Sequence, residues 1–237
     1  EDNATVSIDV PALNATGYFA LTVALDRGEQ HLGRVTQSFG LTLFDPAQWA
    51  SDEASHFGIC HLKNERMYSL AQIAGMKWTR GGGNPSWQLV QPKADQWTWT
   101  PVERTVSAPT PFGIHKLIIL SGIPPWASQG PDEFFTFFRR PTNKRYRRLP
   151  QNLADFGNYV YEVVKRYKDR FTYWEIWNEA DIAFWQGTDE EYIQLMQVAY
   201  QAAKRADPTC QVSMTGLAYP FPHTNRTGRL CDGRAFL

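Results

Sequence analysis

The sequence predicts an α/β protein: a (β/α)8 TIM barrel with about its first five strands present, preceded by a small β region. Three observations carry that expectation. From His56 onward, short apolar runs alternate with stretches of helical spacing. No glycine-rich dinucleotide fingerprint follows the first of these runs, which disfavours an open, doubly wound nucleotide-binding sheet. One run also ends in two polar residues, where a barrel strand presents its chemistry. Gly81-Gly82-Gly83 follows a strand, but neither a helix nor a Lys-Ser/Thr pair comes after it, so it reads as a loop.

Residues 1–49 form the first region. Tyr18, Ala20, Thr22 and Ala24 alternate with Phe19, Leu21, Val23 and Leu25, and residues 35–44 continue in that style after Asp26-Arg27-Gly28. Residues 50–237 carry the alternation. A strand is expected at 57–61, and a helix at 65–74 whose inner face is Met67, Leu70, Ala71 and Ala74. A strand at 76–80 follows, then the β-branched run 114–121, of the kind buried on both faces of a parallel sheet. Pro124 and Pro125 mark a loop at 122–130. Apolar residues at 153, 156, 160, 163, 164 and 167 predict a helix, and 172–177 a strand. Thr188-Asp-Glu-Glu191 is a capping-box signature, opening a helix that Asp207-Pro208 ends; 211–217 is the last strand.

Composition excludes several classes. Lys+Arg 24 against Asp+Glu 24 is no nucleic-acid binder's balance, and no apolar stretch approaches the roughly 18 residues of a membrane span. Cys60, Cys210 and Cys231 are odd in number and irregularly spaced, which fits neither a metal cage nor a disulfide scaffold. The chain opens on Glu1 with no leader, so a signal peptide has been removed or was never included. Three sequons, at Asn3, Asn14 and Asn225, tilt the expectation toward a secreted or extracellular protein. Nine Trp suit stacking on sugars or bases as well as core packing.

The sharpest feature is Tyr173-Trp-Glu-Ile-Trp-Asn-Glu179, where Asn178 and Glu179 stand at the C-terminal end of a strand. Glu175 lies four residues earlier, about 13 Å down the strand, and is expected to point into the lower barrel layers, paired with a basic group. Asp181 reads as a loop or cap residue. His61, Trp126 and Tyr219 occupy rim positions that suit a ligand subsite. His115, near the start of its strand, is structural. Trp97 and Trp99 alternate like a short hairpin that packs, and the basic run from Arg139 to Arg148 reads as a solvated loop or a contact for an anionic saccharide.

WEIWNE resembles the motif that ends the fourth barrel strand of clan A glycoside hydrolases. SHFGICH at 55–61, GMKWTRGGG at 75–83 and GIHKLIILSGIPPWAS at 113–128 resemble the first three strands of that clan. The segment 159–181 is most similar to glycoside hydrolase family 39, with family 5 less close. Those enzymes are retaining glycosidases that often carry a β-sandwich beside the barrel, so residues 1–49 are expected to be part of one. The resemblance implies that Glu179 is the general acid/base and that Asn178 binds the 2-hydroxyl of the cleaved sugar. It also implies that Arg80 orients the nucleophile. Trp177 and Trp185 would supply apolar surroundings for Glu179, and Trp185 joins the substrate-binding set. The implied substrate is an oligo- or polysaccharide; no cofactor and no metal are implied.

The chain departs from the clan pattern in two places. Ala180 stands where a Pro often follows the acid/base. More seriously, the clan's nucleophile ends the seventh strand, and removing about 50 N-terminal residues leaves roughly 187, short of the ~200 of a small barrel. The expectation is therefore a glycosidase inactive without a further strand. The alternatives are a non-catalytic carbohydrate-binding protein or a fragment with no independent activity.

Overall fold

The computed structural model describes residues 7, 16–41, 54–106, 110–218, 223–224 and 230–231. Tyr219, Trp49 and the sequon residues Asn3, Asn14 and Asn225 lie outside them. The chain divides into two compact units, Glu1–Gln48 and Trp49–Leu237.

The described part of the first unit is one antiparallel hairpin of β1 (Gly17–Arg27) and β2 (Gln30–Leu41). Its two-residue turn begins at Gly28, whose φ of 60° suits a residue without Cβ. Phe19 stacks on Phe39 at 5.7 Å and the Thr22 and Thr36 hydroxyls are 2.9 Å apart, both across the paired strands. Tyr18, Leu25 and Val35 are exposed.

The second unit contains β3 (Gly58–Cys60), α1 (Glu65–Ile73), β4 (Trp78–Arg80), α2 (Trp87–Val90), α3 (Thr100–Val106) and β5 (His115–Leu120). It continues with β6 (Phe134–Phe137), β7 (Arg140–Asn143), α4 (Leu153–Tyr167), β8 (Tyr173–Ile176), α5 (Asp189–Ala206) and β9 (Gln211–Ser213). Five strands form a parallel sheet in the order β3-β4-β5-β8-β9. Order in space follows order in sequence with no reversal. That is how strands succeed one another around a barrel wall, not about the switch point of a doubly wound sheet.

Local signals set the helices. Asn64, Asn152 and Thr188 cap α1, α4 and α5 with their side chains, and the Thr188 cap is a complete capping box with Glu191. The apolar stripe of α4, including Phe156, Val160, Val163 and Val164, is fully buried against the sheet and α5. The helices approach closely at Gly157, where an added Cβ would meet Val198 Cγ1 at 2.9 Å.

In the sheet, Ile118, Leu120, Trp174 and Ile176 join that helix-packed core. Because side chains alternate along a strand, Leu117, Tyr173 and Glu175 face the opposite side. There Trp78, His115 and Tyr173 make a cluster with ring centroids 4.6–5.3 Å apart, so His115 packs as a structural residue.

Two expectations are corrected. Trp97 and Trp99 are not strand residues: apart from one bridge between Lys93 and Gln96, the segment is irregular and runs into α3. The two indoles stack at 5.4 Å and pack against the core. Within the basic run, Arg140 to Asn143 is a strand, paired with Phe134 to Phe137 in a hairpin outside the parallel sheet.

Candidate active site

β8 ends at Ile176, and the chain turns sharply. Trp177 has a φ of 73° and Glu179 one of 41°, left-handed values that cost a residue with a side chain about 1–2 kcal/mol each. Surrounding contacts hold the turn. The Trp177 backbone N–H donates to Leu120 O at 2.9 Å, its indole N–H donates to Phe184 O at 3.0 Å, and its ring meets that of Trp185 edge-on at 5.1 Å. Glu179 N–H donates to Gly216 O at 3.1 Å. Ala180 N–H donates to the Thr215 hydroxyl at 3.3 Å, a bond that a proline there would lack. Asp181 is buried and accepts from Ala218 N–H at 3.0 Å, which closes the loop onto the segment after β9.

Behind this turn lies a charged network. Arg80, the last residue of β4, reaches past β5 to Glu175: its Nε donates to Oε2 at 2.6 Å and its Nη2 to Oε1 at 2.7 Å. Nη2 also donates to Asn178 Oδ1 at 2.7 Å. Glu175, 1% exposed, takes a third bond from Gly216 N–H at 2.6 Å. The basic partner expected for Glu175 is thus Arg80. Burial alone would push the guanidinium down, but the hydrogen bonds and charge of Glu175, with smaller contributions from Cys60 and Glu179, hold it above its ordinary value. The Asn178 amide nitrogen lies 3.4 Å from Glu179 Oε2, and both side chains are half-buried.

Beside Asn178 a cleft of about 300 Å³ opens beyond the C-terminal ends of β5 and β8, where barrel enzymes hold their ligands. Trp177, Asn178, Gln88 and Gly122 line one part of it; Asn143, Tyr146, Arg147 and Phe184 line the rest. Arg147 lies over the ring of Phe184 at 5.1 Å, and burial pushes its guanidinium down to about 10.

The structure therefore brings Arg80, Asn178 and Glu179 together. His61 is exposed with a φ of 64°; its N–H donates to Arg80 O at 2.9 Å, which sets it beside Gly81 at the end of β3. Trp126 is half-buried against Trp87, with its indole N–H spent on Gln91 O at 3.0 Å. Trp185 is fully buried and donates to Thr188 O at 2.9 Å, so it has no free face for a sugar. Neither indole lines the cleft. Asn143, Tyr146 and Arg147 do line it, and sequence reasoning had left them in the basic run. The aromatic strand Phe134 to Phe137 just before that run was the available signal for a hairpin there.

Five parallel strands in sequence order thus carry an Asn-Glu pair after β8 and, bonded to that Asn, Arg80 at the end of β4. Comparison with known proteins then narrows the class. No family model matches the chain. It is 27% identical over 193 residues to endo-1,4-beta-xylanase 1 of Gibberella zeae, covering 76% of this chain and 47% of that protein. It is 27% identical over 185 residues to endo-1,4-beta-xylanase A of Fusarium oxysporum f. sp. lycopersici, covering 73% and 48%. A solved family 39 glycoside hydrolase from Bacteroides cellulosilyticus WH2 superposes with a TM-score of 0.58 at 19% identity, over 85% of this chain and 39% of that one. The chain resembles the clan A glycoside hydrolases, and a family 39 member is among the solved structures whose fold it shares. It spans about half the length of the curated relatives it matches.

Proposed function

We propose that this chain carries the acid/base half of a retaining glycosidase site acting on an oligo- or polysaccharide. The observation that supports this most is the placement of Asn178 and Glu179 at the end of β8, with Asn178 bonded to Arg80, bordering a cleft and 3.4 Å from Glu179. In this reading Glu179 gives its proton to the glycosidic oxygen as the C1–O bond breaks, and a nucleophilic carboxylate bonds to C1. Water then attacks C1, its proton passes to Glu179, and the bond to the nucleophile breaks. Asn178 holds the 2-hydroxyl of the sugar.

The nucleophile must stand about 5–5.5 Å from the acid/base. Among the described residues, Glu175 is bound by Arg80 and Gly216, and Asp181 is buried in the loop. We assign the nucleophile to a strand beyond the five described, without which no hydrolysis is expected. Residues 1–49 are read as one part of an accompanying β-sandwich, and the protein as secreted. Among the described residues no helix is long and apolar enough to cross a membrane.

Because the relatives are named endo-1,4-beta-xylanases, xylan is the substrate to test first. In the full-length protein, Glu179→Gln is expected to lower xylan hydrolysis by about 10²–10⁴-fold, the usual contribution of a general acid/base. Hydrolysis left intact would overturn the reading. Xylo-oligosaccharide binding by calorimetry, with no turnover by the full-length wild type, would replace it with a non-catalytic carbohydrate-binding one.

A further inference from the structure

Glu175 takes no part in the reaction above, yet both of its carboxylate oxygens are engaged. Its two oxygens accept three hydrogen bonds from two other segments, Arg80 on β4 and Gly216 after β9. Removal of either charge would strand the other inside the sheet, so the two belong to one unit.

That unit acts on Asn178 in a definite sense. A guanidinium has donors and no acceptor, so the atom that Arg80 Nη2 meets at 2.7 Å must be the carbonyl oxygen of the Asn178 amide. The amide nitrogen is thereby turned away from Arg80 and toward Glu179 Oε2.

We propose that Glu175 is a positioning residue: acting through Arg80, it fixes the orientation of the Asn178 amide so that the amide nitrogen faces Glu179. The proposal rests on Glu179 being the acid/base, but its test needs no turnover. In the 237-residue chain, NMR would follow the Asn178 side-chain amide, with the Gln91 amide, held by Trp87 and Ala94, as the reference. Glu175→Gln keeps the shape and removes the charge that holds Arg80. Arg80→Met combined with Glu175→Leu removes both charges together, an exchange that buried pairs commonly tolerate. In both variants the two Asn178 amide proton signals are expected to broaden as the side chain loses its anchor, while those of Gln91 stay as in the wild type. An Asn178 amide unaffected in the double variant, or signals of Asn178 and Gln91 that broaden together, would overturn the proposal. If Glu175→Gln does not fold, the double variant decides it. Failure of the glycosidase reading is seen separately, in the hydrolysis by full-length Glu179→Gln.

Discussion

Trp177 and Glu179 hold left-handed backbone on either side of Asn178, and the strain is offset by bonds that they donate to the carbonyls of Leu120, Phe184 and Gly216 rather than by glycine. Strain of this kind points a side chain where a regular strand would not, which is why it gathers at sites. Away from the site, Asp207 shows how a single carboxylate couples stability to pH. Bonds from the Thr209 hydroxyl at 2.7 Å and backbone N–H at 2.9 Å hold its carboxyl below the usual 3.8, the hydroxyl contributing most. A depressed folded-state value means the unfolded chain binds the proton more tightly. The stabilisation is therefore present above about pH 3.8 and is lost as pH falls through the lower folded value. Asp207→Asn, which keeps the accepting oxygen, is expected to melt below the wild type at pH 7, with the gap closing by about pH 2.

The elements divide by how local their causes are. α4 and α5 were legible in the sequence because stripe and cap lie within the segment itself; the predicted start at Leu153 and the Thr188 capping box both stand. The β6–β7 hairpin was not. Its two-residue turn places Phe138 at a φ of 48° and Arg139 at 62°, a geometry that Asn-Gly normally announces. Replacing Phe138-Arg139 with Asn-Gly is expected to raise stability by about 1 kcal/mol in chemical denaturation, by removing that strain. The same hairpin leads into Tyr146 and Arg147, so the missing turn signal also hid one wall of the cleft.

At the scale of the molecule, the two units differ in how much apolar surface they bury. In the second, β5 and β8 are covered by the α4–α5 layer, and Ile118, Leu120, Trp174 and Ile176 are essentially inaccessible. Among the described residues of the first, Tyr18 is 78% and Val35 71% exposed, and two strands with so little apolar cover are marginal in water. Amide exchange is expected to be fast throughout β1 and β2 and slowest in β5 and β8, near the global unfolding limit. Comparable protection in the two units would show that β1 and β2 are covered in solution.

Strand and helix alternation, the helix caps and the Asn-Glu pair at a strand end all follow from residues adjacent or a few apart, so the linear chain carries them. Which aromatic faces a cleft and which a core does not follow that way. Trp126 and Trp185 stood near the site in sequence, but in space Trp126 leans half-buried on Trp87 and Gln91, and Trp177 and Thr188 enclose Trp185. The pairing of Arg80 with Glu175 and Asn178 likewise needed the sheet, because residues 95 and 98 positions apart come within 2.7 Å only when β4, β5 and β8 lie side by side in register. Periodicity and capping act within a segment, whereas burial and charge pairing depend on which strand becomes whose neighbour, a choice made only when the apolar faces pack.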